Sequence, residues 1–185
     1  MDRHVPTRPR ELAAPSLALA AAGSLEEVLR IVTEEARQLV GAHQAATSLA
    51  PAGNWSRAMH AVSLSDEYAA WREYDERPDG SGIYGLVCGS NRPMRLTQAE
   101  LEAHPAWRGF GPAAGRHPPM RGWLALPLIG RRGRNIGLIQ LSDKYVGDFT
   151  RSDEAILARF AEVAAAAVET VRRHVRARRR ANRRQ

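Results

Sequence analysis

The sequence predicts an α+β fold: one antiparallel sheet, with a helix from each end of the chain packed on one of its faces. Three observations carry this expectation. The apolar runs GWLALPLI at 122–129 and NIGLIQL at 135–141 flank the turn Gly130-Arg131-Arg132-Gly133, the pattern of a β-hairpin. Amphipathic helical spacing stands near both ends of the chain. Between them the strand-like runs are joined by turns rather than by helices of crossover length, which favours antiparallel pairing. The second face of the sheet is left to irregular segments, so a pocket is expected there.

Taken in order, Ser24 followed by Glu26 and Glu27 opens a helix, with acids at the positive end of its dipole. Leu25, Val28, Leu29, Val32, Ala36, Leu39 and Val40 recur at helical spacing, and Gly41 ends the run. Two strands follow, His43 to Ala50 and Trp55 to Leu64, with Pro51, Ala52, Gly53 and Asn54 as the turn. Ser65-Asp66 is expected to cap a short helix carrying Tyr68, Trp71 and Tyr74. Residues 78–93 read as a glycine-rich connection holding the apolar patches Ile83-Tyr84 and Leu86-Val87-Cys88. Met94-Arg95-Leu96 is a short strand. Residues 98–121 read as a long irregular loop with Trp107, Phe110 and Met120 among several prolines. After the hairpin, a long helix runs from Ser152 through Ile156, Leu157, Phe160, Val163, Ala164, Ala167, Val168, Val171 and Val175.

Composition narrows the function classes. The chain of 185 residues is expected to hold an N-terminal arm at 1–23, a folded domain at 24–171 and an arginine-rich tail at 172–185. One cysteine, Cys88, excludes an internal disulfide. The net charge of +7 is a property of the tail: residues 171–185 hold eight arginines and no acid, which leaves about −1 for the remainder. No run reaches the length of a membrane span, and a cytoplasmic location is expected. The segment LAAPSLALAAAG faintly resembles a secretory leader, but Glu11 and Pro15 interrupt that pattern, so it reads as an arm.

The order of elements, together with Trp-Leu-Ala-Leu-Pro-Leu, Ile-Gly-Leu-Ile-Gln-Leu and Phe-Thr-x-x-Asp-Glu, resembles the GAF domain family over roughly residues 24–170. Gly85-Leu86-Val87 and Arg92-Pro93 resemble its central segment. The resemblance implies a small-molecule sensor module. Cyclic-nucleotide-binding members carry Asn-Lys followed by Phe-x-x-x-Asp-Glu, matched here by Lys144, Phe149, Asp153 and Glu154, with Asp143 at the Asn position. In the family that signature supports the fold through a Lys–Asp pair, so Lys144 is expected to pair with Asp153. It does not by itself imply a cyclic nucleotide. Phe149 is expected to act as a hydrophobic staple, and Thr150 or Ser152 as the cap of the last helix.

Ile83, Tyr84, Cys88, Trp107, Phe110 and Trp123 are the expected pocket residues, apolar groups in the segments that would cover it. The competing reading is that they only fill a core. Cys88 raises a redox or tetrapyrrole-linked alternative. However, no positive group lies near Cys88 in sequence until Arg92, and Gly89 stands where chromophore-bearing relatives place a histidine. A lone cysteine also lacks the resolving partner used by the related sulfoxide reductases. His4, His43, His60, His104, His117 and His174 show no zinc-type spacing. No hydrolase or phosphate-loop motif is present, no enzyme activity is expected, and the sequence identifies no cofactor. Phe160, Ala164, Ala167, Val171 and His174 suggest pairing of the last helix with its twin, so a homodimer signalling to a separate protein is expected. The alternative from another class is a nucleic-acid-associated regulator that binds through the tail, which otherwise reads as solvated.

Overall fold

In the computed structural model the described residues are 19, 21–50, 54, 57–73, 81–109 and 117–182. Trp55, Tyr74, Phe110, the turn residues Pro51, Ala52 and Gly53, and most of the expected N-terminal arm lie outside them.

Helix α1 (Leu25–Val40) begins where Ser24 Oγ accepts from the Glu27 backbone N–H, and it ends at Gly41 in the left-handed region (φ 76°). Strands β1 (Ala42–Leu49), β2 (Met59–Leu64), β3 (Met94–Leu96), β4 (Trp123–Ile129) and β5 (Asn135–Lys144) form one sheet in the order β2-β1-β5-β4-β3. Every neighbouring pair is antiparallel. Helix α4 (Arg151–Asn182) packs beside α1. Both bury their apolar stripes on one face of the sheet, where Val28, Val32, Ala36, Leu157, Phe160 and Val168 meet Leu124, Leu126, Leu128, Ile139 and Leu141. β1 and β5 approach so closely that a methyl on Gly137 would lie 2.1 Å from the Ser48 carbonyl oxygen, which makes glycine obligatory there.

Two expectations about the second face are corrected. The glycine-rich connection contains helix α2 (Gly82–Ser90), formed although each helical glycine costs about 1 kcal/mol relative to alanine. The gain is tertiary: Ile83 and Val87, one turn apart, are fully buried with Trp123, Ala125 and Leu138. The long loop opens with helix α3 (Gln98–Ala103), held by a capping box between Thr97 and Glu100, and Leu101 buries its side chain in the same cluster. A smaller correction concerns residues 66–71, a 3-10 turn whose N-cap Ser65 makes no capping bond. Its hydroxyl instead meets His43 Nδ1 at 2.8 Å.

The last helix continues without interruption through the arginine-rich segment to Asn182. The stripe expected to pair with a twin is also corrected: Phe160, Ala164 and Val171 are spent on the chain's own core.

Candidate functional site

The exit of β5 is where the signature residues converge. Asp143 has left-handed backbone (φ 53°), a conformation that Asp and Asn tolerate best among non-glycine residues. Strand alternation alone would send Lys144 to the same side as Gln140 and Ser142. The left-handed step breaks that alternation, and Lys144 Nζ meets Asp153 Oδ2 at 2.6 Å. Thr150, not Ser152, caps α4: its hydroxyl accepts from the Asp153 N–H at 3.2 Å, while Asp153 Oδ2 accepts from the Thr150 N–H at 2.6 Å. Burial alone would raise the Asp153 carboxyl; Lys144 and Thr150 outweigh it and hold the group below the usual carboxylate range. Phe149 is buried in the helix-face core. Glu154 turns away to Arg95 on β3, 3.2 Å from its Nε, and Arg95 also donates to the Phe149 carbonyl. The signature is thus a clasp joining β3, β5 and α4.

Asp143 is a second knot, one that reading the sequence did not resolve. Its carboxylate is almost wholly buried and accepts from the Tyr68 hydroxyl, the Arg121 N–H and the Arg121 guanidinium. All are donors, which suits an acceptor-only carboxylate better than an amide. Burial, then the bond to Asp143, pushes the Tyr68 phenol up to about 12. Tyr68 stacks on His43 at 4.8 Å, and His43 packs edge-on against Tyr145 at 4.7 Å. Tyr145 in turn accepts from Arg37 of α1 at 2.8 Å.

The recess lies on the sheet face opposite α1 and α4. Gln44 pairs with Ser142, and Ala46 with Gln140, across β1 and β5. These four, with Tyr84, His117 and Met120, line a space of ≈ 210 Å³ that includes its open mouth. Most of that volume is open solvent, and the enclosed part of the recess is about the size of a single water molecule. Its polar groups have a defined sense. The Trp123 indole can only donate, and it does so to Gln140 Oε1 at 3.0 Å, so the Gln140 amide nitrogen faces away. Ser142 Oγ donates to Gln44 Oε1 at 3.2 Å. Among the described residues no acceptor meets either amide nitrogen, and neither nitrogen is buried from solvent. His117 Nδ1 lies 2.6 Å from the Pro118 carbonyl oxygen and must therefore donate to it.

Of the expected pocket residues, Tyr84 lines this recess. Ile83 and Trp123 lie beneath it in the second core, with Cys88 and Trp107 packed against that core; Phe110 is outside the described residues. Burial pushes the Cys88 thiol up to about 11, against a weaker opposing bond from Asn135, so at neutral pH it is a thiol and not the thiolate that reacts. Gln44, Gln140 and Ser142 were not singled out from sequence. The available signal was polar residues at every second position of an otherwise apolar strand. Among the described residues no cluster of His, Cys, Asp and Glu could hold a metal ion, and no helix is long and apolar enough to cross a membrane.

The architecture has many solved counterparts. The chain is similar to the GAF domain of a phosphoenolpyruvate-protein phosphotransferase from Coxiella burnetii, at 22% identity and TM-score 0.69, covering 88% of this chain and 93% of that one. It is also similar to free methionine-R-sulfoxide reductase from Neisseria meningitidis, solved with its substrate, at 15% identity and TM-score 0.67 over 88% and 89% of the two chains. Residues 122 to 287 of a methyl-accepting chemotaxis protein match at 16% identity and TM-score 0.68, over 85% and 96%. At these identities the likeness is one of fold. The family model for the GAF domain matches residues 24–168. With that match over most of its length, the chain belongs to the GAF domain family, a sensory and regulatory module of signalling proteins.

Proposed function

We propose that this protein is a non-catalytic GAF sensor that binds a small molecule in the recess between β1, β5 and α2 and passes the signal through its terminal helices to a separate protein. The observation that carries the reading is the pair of inward amides. Gln44 and Gln140 each commit their oxygen to an internal donor and leave their nitrogens facing the recess. Both nitrogens are open to water through the recess, as neither is among the buried side-chain atoms that lack a partner. A ligand with carbonyl, carboxylate or ring-nitrogen acceptors would take the place of that water. The enclosed part of the recess is water-sized, so binding a larger molecule requires the recess to widen around it. The chemistry on offer is recognition, with no activated nucleophile among the described residues: the Cys88 thiol is protonated at neutral pH.

Purification of the full chain under gentle conditions, followed by native mass spectrometry, tests the reading. A retained small molecule is expected. A bare chain in every charge state, together with no thermal stabilisation by any of a set of small carboxylates, amides and nucleobases, contradicts it.

Transmission has its own requirement, because a ligand shifts an equilibrium only by its differential affinity for two states. The proposed relay is a homodimer formed through the outward side of α4. Ile156 is 36% exposed there. The exposed Ala166 and the half-buried Val163, Ala167 and Thr170 follow at helical spacing, Val163 and Ala167 also touching the helix-face core. Placing a charge in this stripe, as in Ile156→Glu, is expected to give a monomer by light scattering with the fold intact. An unchanged mass, or a monomeric parent protein, removes that route.

A further inference from the structure

The hairpin turn between β4 and β5 and Glu169, past the middle of α4, are distant in sequence and adjacent in space. Glu169 on α4 accepts from the Arg131 backbone N–H at 2.8 Å and lies 3.6 Å from its guanidinium Nε. The contact is close: a methyl on Gly130 would stand 2.8 Å from Glu169 Oε1. It ties Arg131 to the helix, and with it the turn that carries the exposed Arg132 and Arg134.

From Glu169 the helical spacing leads along the same side to Arg172, Arg173, Arg176 and Arg180. Arg173, Arg176 and Arg180 are exposed, and Arg172 is partly so. With a rise of 1.5 Å per residue, Arg172 to Arg180 spans about 12 Å on a rigid rod. Residues 170–185 contain no Asp or Glu, and Glu169 is already engaged with Arg131. Burial, then the neighbouring Arg176, pushes the Arg172 guanidinium below its ordinary value, against a smaller pull from Glu169. The hairpin arginines and the helix arginines therefore form one positive face whose repulsion the chain leaves largely unrelieved.

We propose that Arg131, Arg132 and Arg134, together with Arg172, Arg173, Arg176 and Arg180, form a single docking surface for the phosphate backbone of nucleic acid, bound without reading the bases. Arginine's planar fork matches phosphate oxygens, and every cation named here is arginine rather than lysine. A stripe on a straight helix with a flanking turn follows a regular line of phosphates better than it enfolds a compact anion. A membrane surface is a poorer match, because the helix beyond Val171 offers only Val175, Ala177 and Ala181 as apolar groups, without the Trp, Phe or Leu that such helices insert. An acidic protein is a poorer match too, since no aromatic or large aliphatic anchor accompanies the charge. This surface is independent of the recess.

Fluorescence anisotropy of the full chain with a random-sequence DNA duplex, across a salt series, is the test. Binding is expected to weaken steeply with salt, the slope reporting the phosphates neutralised. Two paired variants divide the surface. Arg132→Asn with Arg134→Gln alters the hairpin, Asn being chosen because the Arg132 backbone is left-handed (φ 70°). Arg176→Gln with Arg180→Gln alters the helix. Each pair is expected to lower the magnitude of the salt slope by about 2 with unchanged circular dichroism, and binding is expected to be indifferent to sequence. Wild-type affinity in the hairpin variant overturns the composite surface. So does the absence of salt-dependent binding in the parent protein, or binding to phosphatidylserine vesicles in preference to the duplex.

Discussion

The two faces of the sheet are built from the same strands and spend their side chains differently. On β4, Leu124, Leu126 and Leu128 go to the helix face, while Trp123 and Ala125 go to the recess face. On β5, Ile139 and Leu141 join the helices, whereas Leu138, Gln140 and Ser142 look the other way. The helix face is apolar and continuous across α1, the sheet and α4. The recess face has a smaller core under α2 and α3, then gives way to amides and a hydroxyl. Apolar burial stabilises at about 25 cal/mol per Å², so a face lined by polar groups open to water gives up stability that an apolar face would provide. The difference separates a clamp from a surface able to respond to what occupies it.

The comparison is broken most forcefully on the clamp. Phe160 on α4 is fully buried among the helix-face residues, and Phe160→Ala is expected to cost about 4 kcal/mol, read as a lower midpoint in urea. A loss under about 1 kcal/mol contradicts the assignment of stability to that face. The clasp at the start of α4 comes next. Asp153→Asn removes a charged acceptor from Lys144 and Thr150 and is expected to cost about 2 kcal/mol at pH 7. The sign with pH follows from the lowered carboxyl: its contribution is full above the unfolded value and disappears as pH falls through the folded one. Parent and variant should therefore converge in stability in acid; parallel curves remove the clasp as the cause.

A smaller effect runs the other way. Thr47 points into the helix face with its hydroxyl fully buried and without a hydrogen-bond partner among the described residues. Thr47→Val replaces that hydroxyl with a methyl of similar shape and is expected to raise stability by about 1 kcal/mol. On the recess face the smallest effect is expected. Gln44→Leu leaves Ser142 free to reorient its hydroxyl, so it should change stability by less than about 1 kcal/mol while abolishing retention of a bound molecule.

Much of the clamp is legible in the sequence because its signals are local and periodic. The caps Ser24 and Gly41, the apolar stripe of α1 and the hairpin turn each report on residues within a few positions. The Lys144–Asp153 pair follows from the nearness of Lys144 at the strand exit to the helix start as well as from the family resemblance, and the geometry supplies its cause in the left-handed step at Asp143. The recess face was harder to read for two physical reasons. Glycines at 82, 85 and 89 argue locally against a helix, yet Ile83 and Val87, four apart, find a buried surface on the sheet that reverses the preference. The polar lining depends on cross-strand register, which brings Gln44 beside Ser142 across almost a hundred residues of chain. The knot joining Asp143, Tyr68 and Arg121 is non-local in the same way.

Native-state amide hydrogen exchange of the full chain tests the division of the two faces most directly. The account predicts that amides of α1, β1, β5 and α4 up to Val171 exchange only through global unfolding, while those of α2 exchange through a local opening of much lower free energy. Protection of residues 82–90 equal to that of α4 would contradict it, since both faces would then be equally fixed.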